Sequence, residues 1–162
     1  MCQFFIGDTV IERDLEHSEK IISEALTTAR ECGAKLSETY ALWGMGNVRR
    51  RQKKYDEAAD YYLKVVDFLS QLKHRWGLAF VLESLAYLSI ENNRLDKAAV
   101  LFGAAEAMRH QLGFPLSPFY QPGYQQYLLR LRDSLDESSL LIAWQSGAEM
   151  SREEILSVVR EA

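Results

Sequence analysis

Prolines are scarce in this chain, and cysteines are scarcer still. The three prolines all lie between Pro115 and Pro122, so nothing before Pro115 would break a helix by this means. The two cysteines, Cys2 and Cys32, form no Cys-x-x-Cys pair, which argues against a disulfide framework and against a structural zinc site. This cysteine usage suits a reducing compartment and predicts a soluble protein of the cytoplasm.

The sequence also lacks an excess of basic residues and a long apolar run. Its formal net charge of −4 does not favour direct contact with nucleic acid, which needs a basic surface. No stretch approaches the roughly 18 apolar residues of a membrane span, and the N-terminus has no basic region of the kind that opens a signal peptide. The chain contains no Gly-x-x-x-x-Gly-Lys-Ser/Thr loop and no identifiable helix-turn-helix.

What the sequence does contain is an internal repeat. Three segments match one another at a constant offset, at 15–25, 55–65 and 95–105. In each, a large apolar residue is followed by a small residue after three positions, a bulky one after four more, and a further apolar residue after three more. This spacing places the four side chains on one face of an α-helix.

A second helical run precedes each of the last two segments. Its matched positions are Leu42, Met45, Gly46 and Val48 in one copy, and Leu82, Leu85, Ala86 and Leu88 in the next. The small residue at 46 or 86 allows a neighbouring helix to approach closely. Polar turns at 52–54 and 92–94 divide each copy into two antiparallel helices, and such hairpins must stack to bury their apolar faces.

These positions resemble the tetratricopeptide repeat. The resemblance implies an all-α fold, an α-α superhelix built as a solenoid of antiparallel helix hairpins, with about three repeats over residues 1–114 and C-terminal capping helices over 115–162 in a single structural domain. The period is longer than is usual for this repeat and is similar to that of the repeats in large bacterial signalling ATPases. In the first copy, Phe4, Phe5, Ile6 and Val10 are expected to form a shortened first helix, which suggests a fragment of a longer protein.

The C-terminal segment is predicted to cover the exposed apolar face of the last repeat. Gly113 is expected to end a helix in the left-handed region, and a proline-rich break follows it. Further helices are predicted at 122–135, 137–146 and 152–160, and Ser151 with Glu154 reads as a capping box that opens the last of them.

This ending, from the Ala98–Gly113 segment through Trp144 and Gly147 to Glu154, is similar to the C-termini of bacterial regulators of the signal-transducing ATPase class. These include LuxR-type and SARP-type transcriptional activators and some adenylate cyclases. In such proteins the repeats sense an inducer or hold an effector domain in check. Without a P-loop or a helix-turn-helix, only the role of the repeat region carries over. We therefore predict a non-catalytic interaction module with no cofactor, no metal and no catalytic residues.

The predicted partner-binding groove follows from the same resemblance, because the first helix of each tetratricopeptide hairpin lines the concave surface. The residues that lie off the packing face of these helices are Tyr40, Trp43, Asn47 and Arg50 in one copy, and Phe80, Glu83 and Tyr87 in the next. Their aromatic and arginine content is typical of interface anchors for a protein or peptide segment. The other interpretation is that Trp43 and Phe80 fill space between helices or under the C-terminal segment.

Two other functions remain open at this stage. An aromatic-lined pocket of Tyr40, Trp43, Phe80 and Tyr87 could sense a small-molecule inducer. Alternatively, the incomplete N-terminal hairpin could form a homodimer and make the chain a self-associating scaffold. The basic run at 49–54 fits a helix end, an acidic partner or, less well, nucleic acid.

Overall fold

The computed structural model describes residues 14–161, and within that range the chain forms eight α-helices and no strand. The prediction of an all-α fold is therefore confirmed. The helices are α1 (Leu15–Glu31), α2 (Lys35–Arg51), α3 (Tyr55–Gln71), α4 (Arg75–Glu91), α5 (Leu95–Leu112), α6 (Gln121–Ser134), α7 (Glu137–Glu149) and α8 (Arg152–Arg160). The chain divides between Leu72 and Lys73 into two compact units, which contain α1–α3 and α4–α8.

The first five helices begin at regular intervals along the chain, at positions 15, 35, 55, 75 and 95. Each connection between them is equally short, and the turns at 52–54 and 92–94 lie where the sequence predicts them. The middle residue of each connection has a positive φ, and Gly113 repeats this conformation at the end of α5. These residues are Gly33, Lys53, Lys73, Asn93 and Gly113.

The turn after α1 shows how so short a connection reverses the chain. The N–H of Gly33 donates to the carbonyl of Arg30 at 3.1 Å, and the N–H of Ala34 donates to the carbonyl of Ala29 at 2.8 Å. These two bonds satisfy carbonyls that a helix end would otherwise leave without partners, which is the Schellman arrangement. After α2, the N–H of Lys54 donates in the same way to the carbonyl of Arg49, five residues earlier, at 2.9 Å.

In the first unit, α2 packs against both α1 and α3. Leu42 and Val48 of α2 are buried, as are Ala58 and Tyr62 of α3. A Cβ atom at Gly46 would lie 2.5 Å from Cε1 of Tyr62, so glycine leaves the space that the tyrosine ring fills. Close approach of a neighbouring helix at position 46 is what the sequence predicts.

In the second unit, α4 and α5 form a hairpin and α7 packs along the other side of α5. A Cβ on Gly103 of α5 would overlap the carbonyl of Trp144, and a Cβ on Gly147 of α7 would overlap the carbonyl of Val100. Because 103 faces 144 while 100 faces 147, the two helices run antiparallel. Glycine at both positions therefore allows direct contact between the two backbones.

The C-terminal helices follow their predicted bounds closely, since α6, α7 and α8 cover 121–134, 137–149 and 152–160. The N–H of Glu154 donates to Oγ of Ser151 at 3.3 Å and the N–H of Ser151 donates to the Glu154 carboxylate at 2.7 Å, which completes the predicted capping box. The predicted first helix with Phe4, Phe5, Ile6 and Val10 lies outside the described residues. The two compact units meet between residues 72 and 73, and the division at 114/115 between repeats and cap stays a prediction.

We predict that Gly33→Ala lowers the free energy of unfolding by about 1 kcal/mol, because an L-residue in the left-handed region meets its own backbone. A Cβ at Gly33 would have no other atom within 4 Å, so the effect isolates the backbone conformation. Gly123→Ala is the matched control, because it also has open space but no positive φ, and it should stabilise α6 by about 0.5 kcal/mol. Urea unfolding of both variants tests this, and equal stabilities would contradict it.

Candidate partner-binding surface

The four predicted residues of α2 lie at intervals of three, four and three positions and so share one side of the helix. The structure separates them by burial. Asn47 and Arg50 are 5% and 7% exposed, whereas Tyr40 and Trp43 are half-buried. Leu36, one turn before Tyr40, is 40% exposed and extends the same side of the helix. The part of this face that keeps exposed surface is formed by Leu36, Tyr40 and Trp43, which we call the α2 stripe.

Asn47 has a role inside the first unit. The hydroxyl of Tyr62 donates to Oδ1 of Asn47 at 2.8 Å, and both side chains are buried. A buried phenol without an acceptor would lose the hydrogen bond that water gives it, so Asn47 stabilises the packing of α3 on α2. Burial also raises the pKa of the Tyr40 phenol above its ordinary value of 10.0.

Arg49 connects all three helices of the first unit, although the sequence placed it in a basic run at a helix end. Its Nη2 donates to Glu19 of α1 at 2.7 Å and its Nη1 to Oε1 of Gln52 at 2.8 Å. Its Nε lies 2.8 Å from the carboxylate of Glu57 on α3, and Gln52 also donates to Glu19 at 2.9 Å. Because only 12% of the Arg49 side chain is exposed, its guanidinium interacts mainly with these groups of the protein itself.

Two carboxyl groups of the first unit have lowered pKa values. The hydrogen bond from Arg49, followed by that from Gln52, lowers the pKa of Glu19 from its ordinary 4.5 to about 2. The pKa of Glu38 on α2 is also lowered, first by Arg30 of α1 and then by Lys35. Both carboxylates stabilise the first unit in their ionised form.

The predicted residues of α4 contact other parts of the second unit. The Phe80 ring lies 4.7 Å from that of Trp76 and 5.5 Å from that of Tyr120, which immediately precedes α6. Tyr87 stacks on Tyr127 of α6 with a centroid distance of 4.2 Å and an interplanar angle of 20°. This side of α4 is therefore covered by the protein's own C-terminal segment, which agrees with the interpretation that Phe80 fills space under that segment.

Glu83 forms a buried ion pair with Arg109 of α5. The two residues are 4% and 7% exposed, and the Arg109 guanidinium lies 5.4 Å from the centre of the Tyr124 ring. Removal of one partner would leave a buried charge without compensation, which costs far more than loss of a surface pair. Burial raises the pKa of Tyr124, so this residue presents a neutral ring to the cation.

The structure thus brings the predicted residues together in two sets, one on α2 in the first unit and one on α4 in the second. Leu36 was missed, although its position one helical turn before Tyr40 could have revealed it. The contacts of α4 with Tyr120, Tyr127 and Arg109 had no signal in the sequence, because they join positions that are far apart along the chain.

Among residues 14–161, no group of three or more histidine, cysteine, aspartate or glutamate side chains could hold a metal ion. In the same part of the chain, no helix combines the length and the apolar character needed to cross a membrane. A scan of protein-family models and searches of curated proteins and of solved structures give no match to this chain.

We predict that Arg49→Ala lowers the free energy of unfolding of the first unit by about 2 kcal/mol, because it removes the hydrogen bonds to Glu19 and Gln52 and the ion pair with Glu57. Lys20→Ala is the control, since it removes the same charge from an exposed position next to Glu19 and should change stability by less than about 0.5 kcal/mol. Chemical denaturation of both variants checks the difference, and comparable losses would show that Arg49 contributes only net charge.

The lowered pKa of Glu19 also predicts how stability depends on pH. Because the folded protein holds this group ionised, its contribution is complete above pH 4.5, the ordinary pKa, and is lost as the pH falls towards about 2. The stability advantage of the wild type over Glu19→Gln should therefore be largest near neutral pH and shrink in acid. Denaturation midpoints across this range measure the advantage, and a constant difference between the two proteins would refute the assignment.

Proposed function

We propose that this chain is a tetratricopeptide-like repeat module that binds a protein segment and has no catalytic role. The α2 stripe carries the proposal, because it places a tryptophan, a tyrosine and a leucine on consecutive turns of one helix face. Leu36 is 40% exposed, and both aromatic rings are half-buried. Rigid aromatic side chains that are already held in place lose little conformational entropy on binding, so they make strong anchors.

The regular helix pattern supports the repeat part of the proposal. Helices α1 to α4 have equal length and begin at equal intervals, and a left-handed residue lies in every connection. This is what a repeat built from helix hairpins requires. The expected arrangement of such hairpins is an α-α superhelix. Its first helices are the natural place for a binding surface, and α2 is such a helix.

The position of the charges supports a protein segment as the partner rather than nucleic acid. The most basic part of the sequence, at 49–54, contributes Arg49 to an internal network and buries Arg50. These two arginines are therefore withdrawn from any phosphate, which leaves Arg51, Lys53 and Lys54 as the exposed basic side chains of this run. The resemblance of the C-terminal segment extends the proposal to the setting, a bacterial transcriptional regulator of the signal-transducing ATPase class in which the repeats regulate the other domains.

The proposal predicts that peptides selected for binding to the full chain depend on the α2 stripe. Peptides from a random display library should bind Trp43→Ala about 30-fold or more weakly, because truncation of a central aromatic anchor costs about 2 kcal/mol or more. Ile142→Ala removes an apolar side chain that is 68% exposed on α7 and serves as the control. Affinities by fluorescence polarisation, with circular dichroism to verify folding, provide the measurement.

Two results would contradict this function. Selected peptides that bind Trp43→Ala and wild type equally would place the binding surface elsewhere. Peptides that lose affinity equally for Trp43→Ala and Ile142→Ala would show nonspecific adhesion to apolar side chains.

A further inference from the structure

The segment between α5 and α7 departs from the end of α5 and returns close to that point at the start of α7. Gly103 faces Trp144 and Val100 faces Gly147, so each step forward along α5 is matched by a step backward along α7. Continuing this register brings the end of α5, near residue 110, opposite the start of α7, near residue 137. The intervening residues 113–136, including all of α6, thus form an excursion with adjacent ends.

The contact between α5 and α7 joins those ends directly, while Tyr124 of α6 packs edge-on against Phe102 of α5 with a centroid distance of 5.3 Å. The Phe102 ring stacks on Trp144 with a centroid distance of 5.7 Å and an interplanar angle of 14°, and Nε1 of Trp144 donates to Glu106 at 2.9 Å. Detachment of α6 from α4 would leave these contacts in place. Because the ends stay fixed, such a local opening does not require α5 and α7 to separate.

This excursion covers the side of α4 that carries Phe80 and Tyr87. Tyr120 packs edge-on against Phe80, and Tyr127 stacks on Tyr87. Further along α4, Glu91 accepts hydrogen bonds from the Tyr127 hydroxyl at 3.1 Å and from Arg130 at 2.9 Å. This side of α4 therefore accepts a helix that presents an aromatic residue and an arginine three positions apart.

Helix α6 buries fewer residues than α4 and α5, the two helices on which it packs. Only Tyr124, Leu128 and Leu131 of α6 are buried, whereas α5 buries nine residues. The Arg130–Glu91 ion pair is partly exposed, with 46% and 23% of the two side chains accessible, and ion pairs that solvent reaches add little to stability. We therefore expect α6 to open before α4 and α5 do.

We propose that residues 114–134 form a strap that occupies the α4 face within the molecule, so that release of the strap opens a second binding face for a helix with aromatic and arginine residues. This inference rests on the proposed function, because a face that accepts a helix has a use in a binding module. Its test needs no outside partner and does not involve the α2 stripe, so the two proposals can fail separately.

Hydrogen exchange of the full chain tests the first part. Amides of α6 should exchange about tenfold or more faster than those of α4 and α5. Tyr127→Ala should accelerate α6 further while α5 and α7 keep their protection. Leu129→Ala, on the same helix but 57% exposed, should leave α6 unchanged. Protection of α6 equal to that of α5 would overturn the strap, because α6 would then open only when the unit unfolds.

A labelled synthetic peptide of residues 118–135 tests the second part. It should bind full-length Tyr127→Ala about tenfold more tightly than wild type, because an intact strap competes as a tethered ligand at high effective concentration. The same peptide with Y127A and R130A should bind neither protein. Equal affinity for the two proteins, or no binding to either, would overturn the proposal even if α6 exchanges rapidly.

Discussion

The structure of the first five helices depends on one backbone constraint, the reversal of the chain within a very short connection. Each reversal places its middle residue in the left-handed region, and in the turns at 33, 53 and 93 bonds to the preceding carbonyls end the helix at a fixed residue. Connections of equal length and helices α1 to α4 of equal length keep the apolar positions in register along the chain. Only then does the small residue at 46 meet Tyr62, and only then does Arg49 reach both neighbouring helices.

Much of this framework was predictable from local pattern. The repeat period and the 3-4-3 spacing located the helices, and Gly113 and the Ser151–Glu154 pair marked two helix ends correctly, because glycine and capping residues act through their immediate neighbours. The left-handed residues at Lys53 and Lys73 were not predictable. Lysine has no preference for that conformation, so the turn is imposed by the helices on either side.

The candidate site was less predictable from the sequence than this framework of helices and turns. A periodic pattern identifies the side of a helix but not what covers it. For this reason Asn47 and Trp43 looked equivalent in sequence, although one is buried against Tyr62 and the other is half-buried. The cover on Phe80 and Tyr87 comes from Tyr120 and Tyr127, which lie beyond the whole of α5 in the chain. Pairings of this kind depend on tertiary packing, which a single sequence does not reveal.

The direct backbone contact between α5 and α7, at Gly103 and Gly147, has a consequence for engineering. It fixes the alignment of the two helices, so a deletion or insertion within either helix near the crossing would replace glycine by a larger residue at the point of closest approach. The connection outside the two helices carries no such restriction. Its termini emerge side by side, which makes this the natural location to graft a foreign loop or a reporter domain without disturbing the hairpin beneath.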